Sequence, residues 1–201
     1  MLRRLILLAA CIGLASCSHD DGRTMKQPTG QQQADFTSAT TLPATSDTAD
    51  ADVSNEASLT ITPGWDTKAP LPTRFTCDGS NLSPGFSWSG GPTGTVTYAV
   101  ILSDTDSPTY SHWTVANIPA NVHLLAENWT PPLAVTAANA NGAAKYTGPC
   151  PPKGSTHHYV LSVYAVTQQL EALNGDPAEG MRTAIQDAAS DMASFNFTYS
   201  R

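Results

Sequence analysis

Thr95-Val96-Thr97-Tyr98-Ala99-Val100-Ile101-Leu102 is the stretch that decides the fold. It is β-branched, aromatic and aliphatic without a break. Such an unalternating run suits a strand covered on both faces rather than one with a wet side. His112 to Ile118 (HWTVANI) and Tyr159 to Val166 (YVLSVYAV) are two more runs of the same kind. Leu59-Thr60-Ile61-Thr62 alternates like a half-buried strand, and Phe195 to Tyr199 reads as a short terminal strand. Pro- and Gly-rich loops lie between these runs, with no helical crossovers. Short connections favour antiparallel pairing. One helix is predicted, with Asp176 as its N-cap, Pro177 at the first helical position and Glu179 three residues after the cap. Met181, Ala184, Ile185, Ala188 and Met192 then recur at helical spacing and predict its core face. Leu170 to Leu173 reads as one short helical turn. Trp65, Trp88 and Trp129 read as core. The fold class is mostly β, an antiparallel β-sandwich with one peripheral α-helix.

Outside the strands the chain divides into three parts. Residues 1–16 have the layout of a cleaved signal peptide, with Arg3 and Arg4 ahead of an apolar run from Leu5 to Leu14. Leu14-Ala15-Ser16-Cys17 ends it, and a cysteine at the new N-terminus resembles the lipobox of bacterial lipoproteins. The apolar run is too short for a spanning helix, which needs ~20 residues. Acyl chains on Cys17, at ~0.8 kcal/mol per buried methylene, would give a durable anchor. Residues 17–58 are rich in Ser, Thr, Asp, Gln and Ala, and cannot bury enough surface to offset their ordering entropy. They read as a disordered tether with a span of roughly 35–40 Å. Residues 59–201 form the predicted folded domain.

Charge narrows the partners. The whole chain carries −7, with −5 in the tether and −4 in the domain. Neither part has the positive footprint that nucleic acid requires, and neither docks on anionic lipid heads by charge. Membrane attachment would rest on the lipid at Cys17, which places the domain outside the cytoplasm. Cys11 leaves with the signal, so Cys77 and Cys150 remain. An even pair in an exported chain reads as one disulfide, with two buried free thiols as the alternative.

Polar residues collect at one end of the predicted strands. Asp104 closes the first long run, and His112 opens the next after a short connection, so both belong at one sheet edge. His157 stands two residues before Tyr159, so the two share a face while His158 points away. Gly148-Pro149-Cys150-Pro151-Pro152-Lys153-Gly154 runs just upstream, stiffened by its prolines. Asp78 and Asp106 read as loop-holding aspartates, and His19 and His123 as surface residues.

Five motifs occur in order: Cys77-Asp78-Gly79-Ser80-Asn81-Leu82-Ser83-Pro84, Asp104-Thr105-Asp106-Ser107-Pro108, His112-Trp113, Gly148-Pro149-Cys150-Pro151-Pro152 and His157-His158-Tyr159. Together they resemble the bacterial branch of the phosphatidylethanolamine-binding protein family, to which Raf kinase inhibitor protein is related. The resemblance covers Leu59 to Arg201. It implies a β-sandwich with a small anion pocket at one end, lined by Asp104, His112, His157 and Tyr159 and walled by Gly148 and the loop after it. It implies no cofactor. Thr105 stands where the family usually has a proline, which predicts a looser loop. The chain ends in a strand and lacks the terminal helix of eukaryotic members, so their kinase regulation does not carry over.

These residues point to a non-catalytic binding module for a small phosphate- or carboxylate-bearing ligand. Neutral imidazole donates one N–H and imidazolium two, and Tyr159 adds an O–H. Two alternatives stand beside it. Two histidines and an aspartate could hold a metal or serve as acid and base, yet the chain has no HExxH and no GxSxG motif. A protease or kinase inhibitor would instead act through surface loops.

Overall fold

The computed structural model describes residues 57–201, so the signal peptide, Cys17, His19 and nearly all of the tether lie outside the described residues. Eight strands and one helix follow in chain order: β1 (Thr60–Pro63), β2 (Phe86–Ser89), β3 (Thr97–Asp104), β4 (Ser111–Pro119), β5 (Leu124–Leu125), β6 (Val135–Thr136), β7 (Thr156–Val166), α1 (Ala178–Ala188) and β8 (Ala189–Ser200). They build two antiparallel sheets, one of three strands ordered β1-β2-β5 and one of five ordered β6-β4-β3-β7-β8.

The unalternating run becomes β3, the middle strand of the larger sheet, and the covering of both its faces explains its composition. Tyr98, Val100 and Leu102 face the smaller sheet and pack in one core with Phe86, Trp88 and Trp113. Ala99 and Ile101 face the other way, into a second core closed by Met181 and Ile185 of α1. The sandwich and its peripheral helix are therefore as the sequence implies.

Five local expectations are corrected. Met192 does not extend the helical face. The chain leaves α1 at Ala188 and enters β8 at once, where Met192 is 48% exposed. Its spacing from Ala188 continues the helical pattern by coincidence, and pairing with β7 along the whole strand overrides local propensity. The same pairing makes the terminal strand 12 residues long rather than short. Pro177, not Asp176, is the N-cap, because the Asp176 carboxylate is engaged by the Leu173 N–H at 2.8 Å. Leu170 to Leu173 forms no helical turn. Asn117, in the left-handed region at φ 57°, turns its amide to Leu170, donating to the carbonyl and accepting from the N–H, each at 2.9 Å. That side chain replaces the backbone partners a helix would have supplied. Trp129 is 41% exposed, so of the three tryptophans expected in the core Trp88 lies in it and Trp65 packs against it, while Trp129 does neither.

Candidate ligand-binding site

Asp104 is the last residue of β3, directly opposite Tyr159 of β7. Its side chain is 4% exposed and fully engaged. Oδ1 accepts the N–H groups of Asp106 and Ser107 at 2.9 and 3.1 Å, the Asx-type turn that Asp favours at a strand end. Oδ2 accepts from His157 Nδ1 at 2.7 Å. His112, second residue of β4, brings Nε2 to 3.8 Å from the same oxygen. Strand alternation does the rest. The His157 ring stacks beside Tyr159 with centroids 6.4 Å apart, and His112 meets the Tyr159 ring edge-on at 5.4 Å. The four residues that the sequence singles out thus converge on one place.

His158 points outward, as period two requires, and latches the loop. Its N–H and Nδ1 both donate to Asp106 Oδ2, at 2.7 and 3.0 Å. The hydrogen bond from the His158 N–H is the largest influence holding the Asp106 carboxyl below its usual range. Thr105 returns the contact, giving its N–H and its hydroxyl to the His158 carbonyl at 2.9 and 3.1 Å. A proline at 105 has no N–H to give. The expectation of a looser loop is therefore corrected: two hydrogen bonds hold it where a ring would have.

The cavity at this edge measures about 260 Å³ and is lined by Asp104, Ser107, Tyr110, His112, Cys150, Pro152 and His157. Gly148 and Tyr159 do not line it. Gly148 stands behind the wall, where a Cβ would strike the Phe75 carbonyl, and its N–H donates to Asn81 Oδ1 at 2.7 Å. The wall is fastened further by the Cys77–Cys150 disulfide, with Cα atoms 5.4 Å apart. Arg201 reaches the Cys150 sulfur at 3.4 Å and pairs with Asp78 at 2.9 Å, so a cation sits beside this wall. Tyr159 is wholly buried, and its hydroxyl is a buried polar atom with no hydrogen-bond partner. Burial first, and then the charge of Asp104, push its pKa well up, so it keeps its proton and is a donor.

His112 is the second orphan. Nδ1 lies 2.9 Å from the Thr147 carbonyl, which can only accept, so Nδ1 carries the proton. Nε2 is buried and has no hydrogen-bond partner. Burial drives the His112 pKa below the ordinary 6.5, against the upward pulls of the Thr147 carbonyl and Asp104. In its neutral form Nε2 therefore presents a lone pair to the cavity, not the donor that imidazole chemistry alone suggested. A depressed histidine pKa means the unfolded chain binds the proton more tightly. His112 thus costs nothing above pH 6.5 and destabilises the fold as pH falls below it. The Tm of the wild type is expected to fall between about pH 7.5 and about pH 5.5, and to fall less in His112→Gln. Equal slopes in the two proteins would show that other groups carry the effect.

Tyr110 and Ser107 are the site residues that sequence reasoning missed. Tyr110 packs its ring 4.7 Å from His112. The signal for it was its place two residues before His112, on the same side of a strand start. Among the described residues, the group able to offer three metal-ligand atoms within 4.8 Å of one another is Asp104, Asp106 and His157. It leaves out His112, so the two-histidine triad is not the arrangement present. Also among the described residues, no helix is long and apolar enough to cross a membrane.

Comparison with known proteins agrees with this fold. The Mycobacterium tuberculosis protein LppC, provisionally a lipoprotein by its name, is 32% identical over 189 residues, covering 92% of this chain and 89% of LppC. The crystal structure of Escherichia coli YbcL, titled a new member of the mammalian PEBP family, superposes with a TM-score of 0.67 at 31% identity, over 72% of this chain and 99% of that one. A Chlamydia trachomatis homologue of the same family superposes at 0.65 and 27% identity, over 72% of this chain and 99% of its own. Residues 61–200 match the sequence model of the phosphatidylethanolamine-binding proteins. With most of its length accounted for in this way, the chain belongs to the phosphatidylethanolamine-binding protein family.

Proposed function

We propose that this protein is a lipid-anchored, extracytoplasmic binding protein whose cavity holds a small phosphate- or carboxylate-bearing ligand without transforming it. The observation that carries the reading is the convergence of Asp104, His112 and His157 on one cavity of about 260 Å³, with Tyr159, whose buried hydroxyl has no partner, packed against both histidine rings. An unsatisfied buried donor is costly and is uncommon unless something visits it. The wall formed by Cys150 and its neighbouring prolines is stiff and cross-linked by a disulfide, so little ordering entropy opposes binding. Anchoring through Cys17 is supported by the lipobox pattern and by the likeness to LppC, whose match runs over 92% of this chain. A disulfide suits the oxidising side of a membrane.

Isothermal titration of the purified protein with inorganic phosphate and with acetate tests this. Saturable binding is expected for both, tightening as pH falls from about 8 to about 6, because the bound anion favours a proton in the site. Absence of heat with either anion, or an affinity indifferent to pH, would overturn the reading.

A further inference from the structure

The Cys77–Cys150 bridge is a place for chemistry as well as a fastening. We propose that it is a thiol–disulfide exchange site, opened by a dithiol reductant that attacks Cys77 Sγ and expels Cys150 as the thiolate, with Arg201 stabilising the leaving sulfur. Both cysteines are exposed, so an attacking thiol reaches the bridge without unfolding the domain. Arg201 Nη1 lies 3.4 Å from Cys150 Sγ. The guanidinium is held in that position. Its Nε donates to Asp78 Oδ1 at 2.9 Å, and the Tyr199 hydroxyl donates to Asp78 Oδ2 at 2.6 Å. The Arg201 backbone is tied as well, its N–H donating to the Ser155 carbonyl at 3.2 Å.

The two sulfurs differ in their electrostatic surroundings, and that difference sets the direction of attack. Cys150 faces the Arg201 guanidinium, and Lys153 stands three residues further along its own loop. The Tyr199 hydroxyl first, and then Arg201 and Lys153, hold the Asp78 carboxyl below its usual range, so both cations are felt at this spot. The other titratable groups that share the cavity lining with Cys150 are Tyr110, His112, and Asp104 with His157, the last two paired at 2.7 Å. Cys77 is instead followed directly by Asp78, whose carboxylate discourages a negative sulfur there. A cysteine beside Arg or Lys forms its thiolate more readily than a free one, and the sulfur of lower pKa is the better leaving group. In the exchange, a thiolate of the reductant bonds to Cys77 Sγ, the Cys77–Cys150 bond breaks, and its electron pair stays on Cys150 beside Arg201. The second thiol of the reductant then loses its proton and displaces Cys77 from the mixed disulfide. The reductant ends as a disulfide, two electrons pass to the protein, and the two cysteines take up the two protons released. Cys150 lines the cavity, so opening the bridge frees one of its walls. The exchange itself does not depend on what the cavity holds.

Reduction of the oxidised full chain by dithiothreitol at neutral pH, quenched with acid and followed by mass spectrometry of alkylated peptides, tests the proposal in the wild type and in Arg201→Gln. The peptides report Cys77 and Cys150 separately from Cys11 and Cys17. Arg201→Gln is expected to be reduced at least about threefold more slowly, because its leaving sulfur has lost the cation. If Arg201 only clamps the wall, the variant is reduced faster, since a loosened bridge is easier to reach. The Arg201 side chain is 30% exposed and outside both cores, so the bridged variant keeps its fold. Glutathione in place of dithiothreitol marks the sulfur that is attacked, and its mixed disulfide is expected on Cys77 with Cys150 free. Reduction of Arg201→Gln at the wild-type rate or faster, or glutathione on Cys150, overturns the proposal. Neither measurement uses the cavity's ligand, so a failure here leaves the binding reading standing.

Discussion

Replacing both Cys77 and Cys150 by serine will lower the Tm by about 10–15 °C and weaken phosphate binding. The bridge joins residues 73 apart in sequence. Chain-entropy bookkeeping assigns such a loop ~4 kcal/mol, and a domain of this size shifts by about 3 °C per kcal/mol. The neighbouring bonds limit the loss. Cys77 N–H still donates to the Pro149 carbonyl at 3.2 Å, Gly148 N–H to Asn81 at 2.7 Å, and the Tyr146 hydroxyl to the Phe75 carbonyl at 2.7 Å. The fold should therefore persist, with a looser wall. Cys150 itself lines the cavity, so slack in that wall reaches the ligand directly. Thermal melts with and without reductant, beside calorimetry of the double serine variant, check both parts. An unchanged Tm would mean that the hydrogen bonds alone hold the wall. A lowered Tm with unchanged affinity would mean that the donors are positioned from the strands and not from this loop.

Much of this architecture is visible in the chain because its strongest signals are local and repeated. β3 is legible because burial on both faces removes alternation, and its final Asp104 is legible because an aspartate at a strand end has a definite job. His157 and Tyr159 are legible because period two is rigid, and the same rule sends His158 outward. What escaped depends on partners distant in sequence. β5 and β6 are two residues each and exist only because β2 and β4 lie alongside. β8 takes Ala189 to Ser194 from a helix-prone segment because β7 offers a full-length partner. The polarity of the site is of the same kind. A histidine in a sequence has two interchangeable nitrogens. Only the Thr147 carbonyl, 35 residues away in the chain, settles which one holds the proton and turns His112 from a donor into an acceptor.

Exchanging His112 and His157 together for alanine will reduce phosphate affinity by at least about a hundredfold, since each charge-assisted hydrogen bond lost is worth ~1.5–3 kcal/mol. The two positions differ in what else they hold. His157 is partly exposed and makes one side-chain hydrogen bond, to Asp104, which keeps its two backbone donors without it. His157→Ala alone should therefore cost little stability and most of the affinity. His112 is buried between the rings of Tyr110 and Tyr159, and alanine there opens a void and strands the Thr147 carbonyl. A cost of about 2–4 kcal/mol follows for that half of the pair. The single and double variants separate a ligand site from a structural one. If His157→Ala binds phosphate like the wild type, while the double variant loses binding only together with its cooperative melt, the histidines complete the core and the cavity has another use. If His157→Ala melts normally and no longer binds, the imidazole is there for the guest.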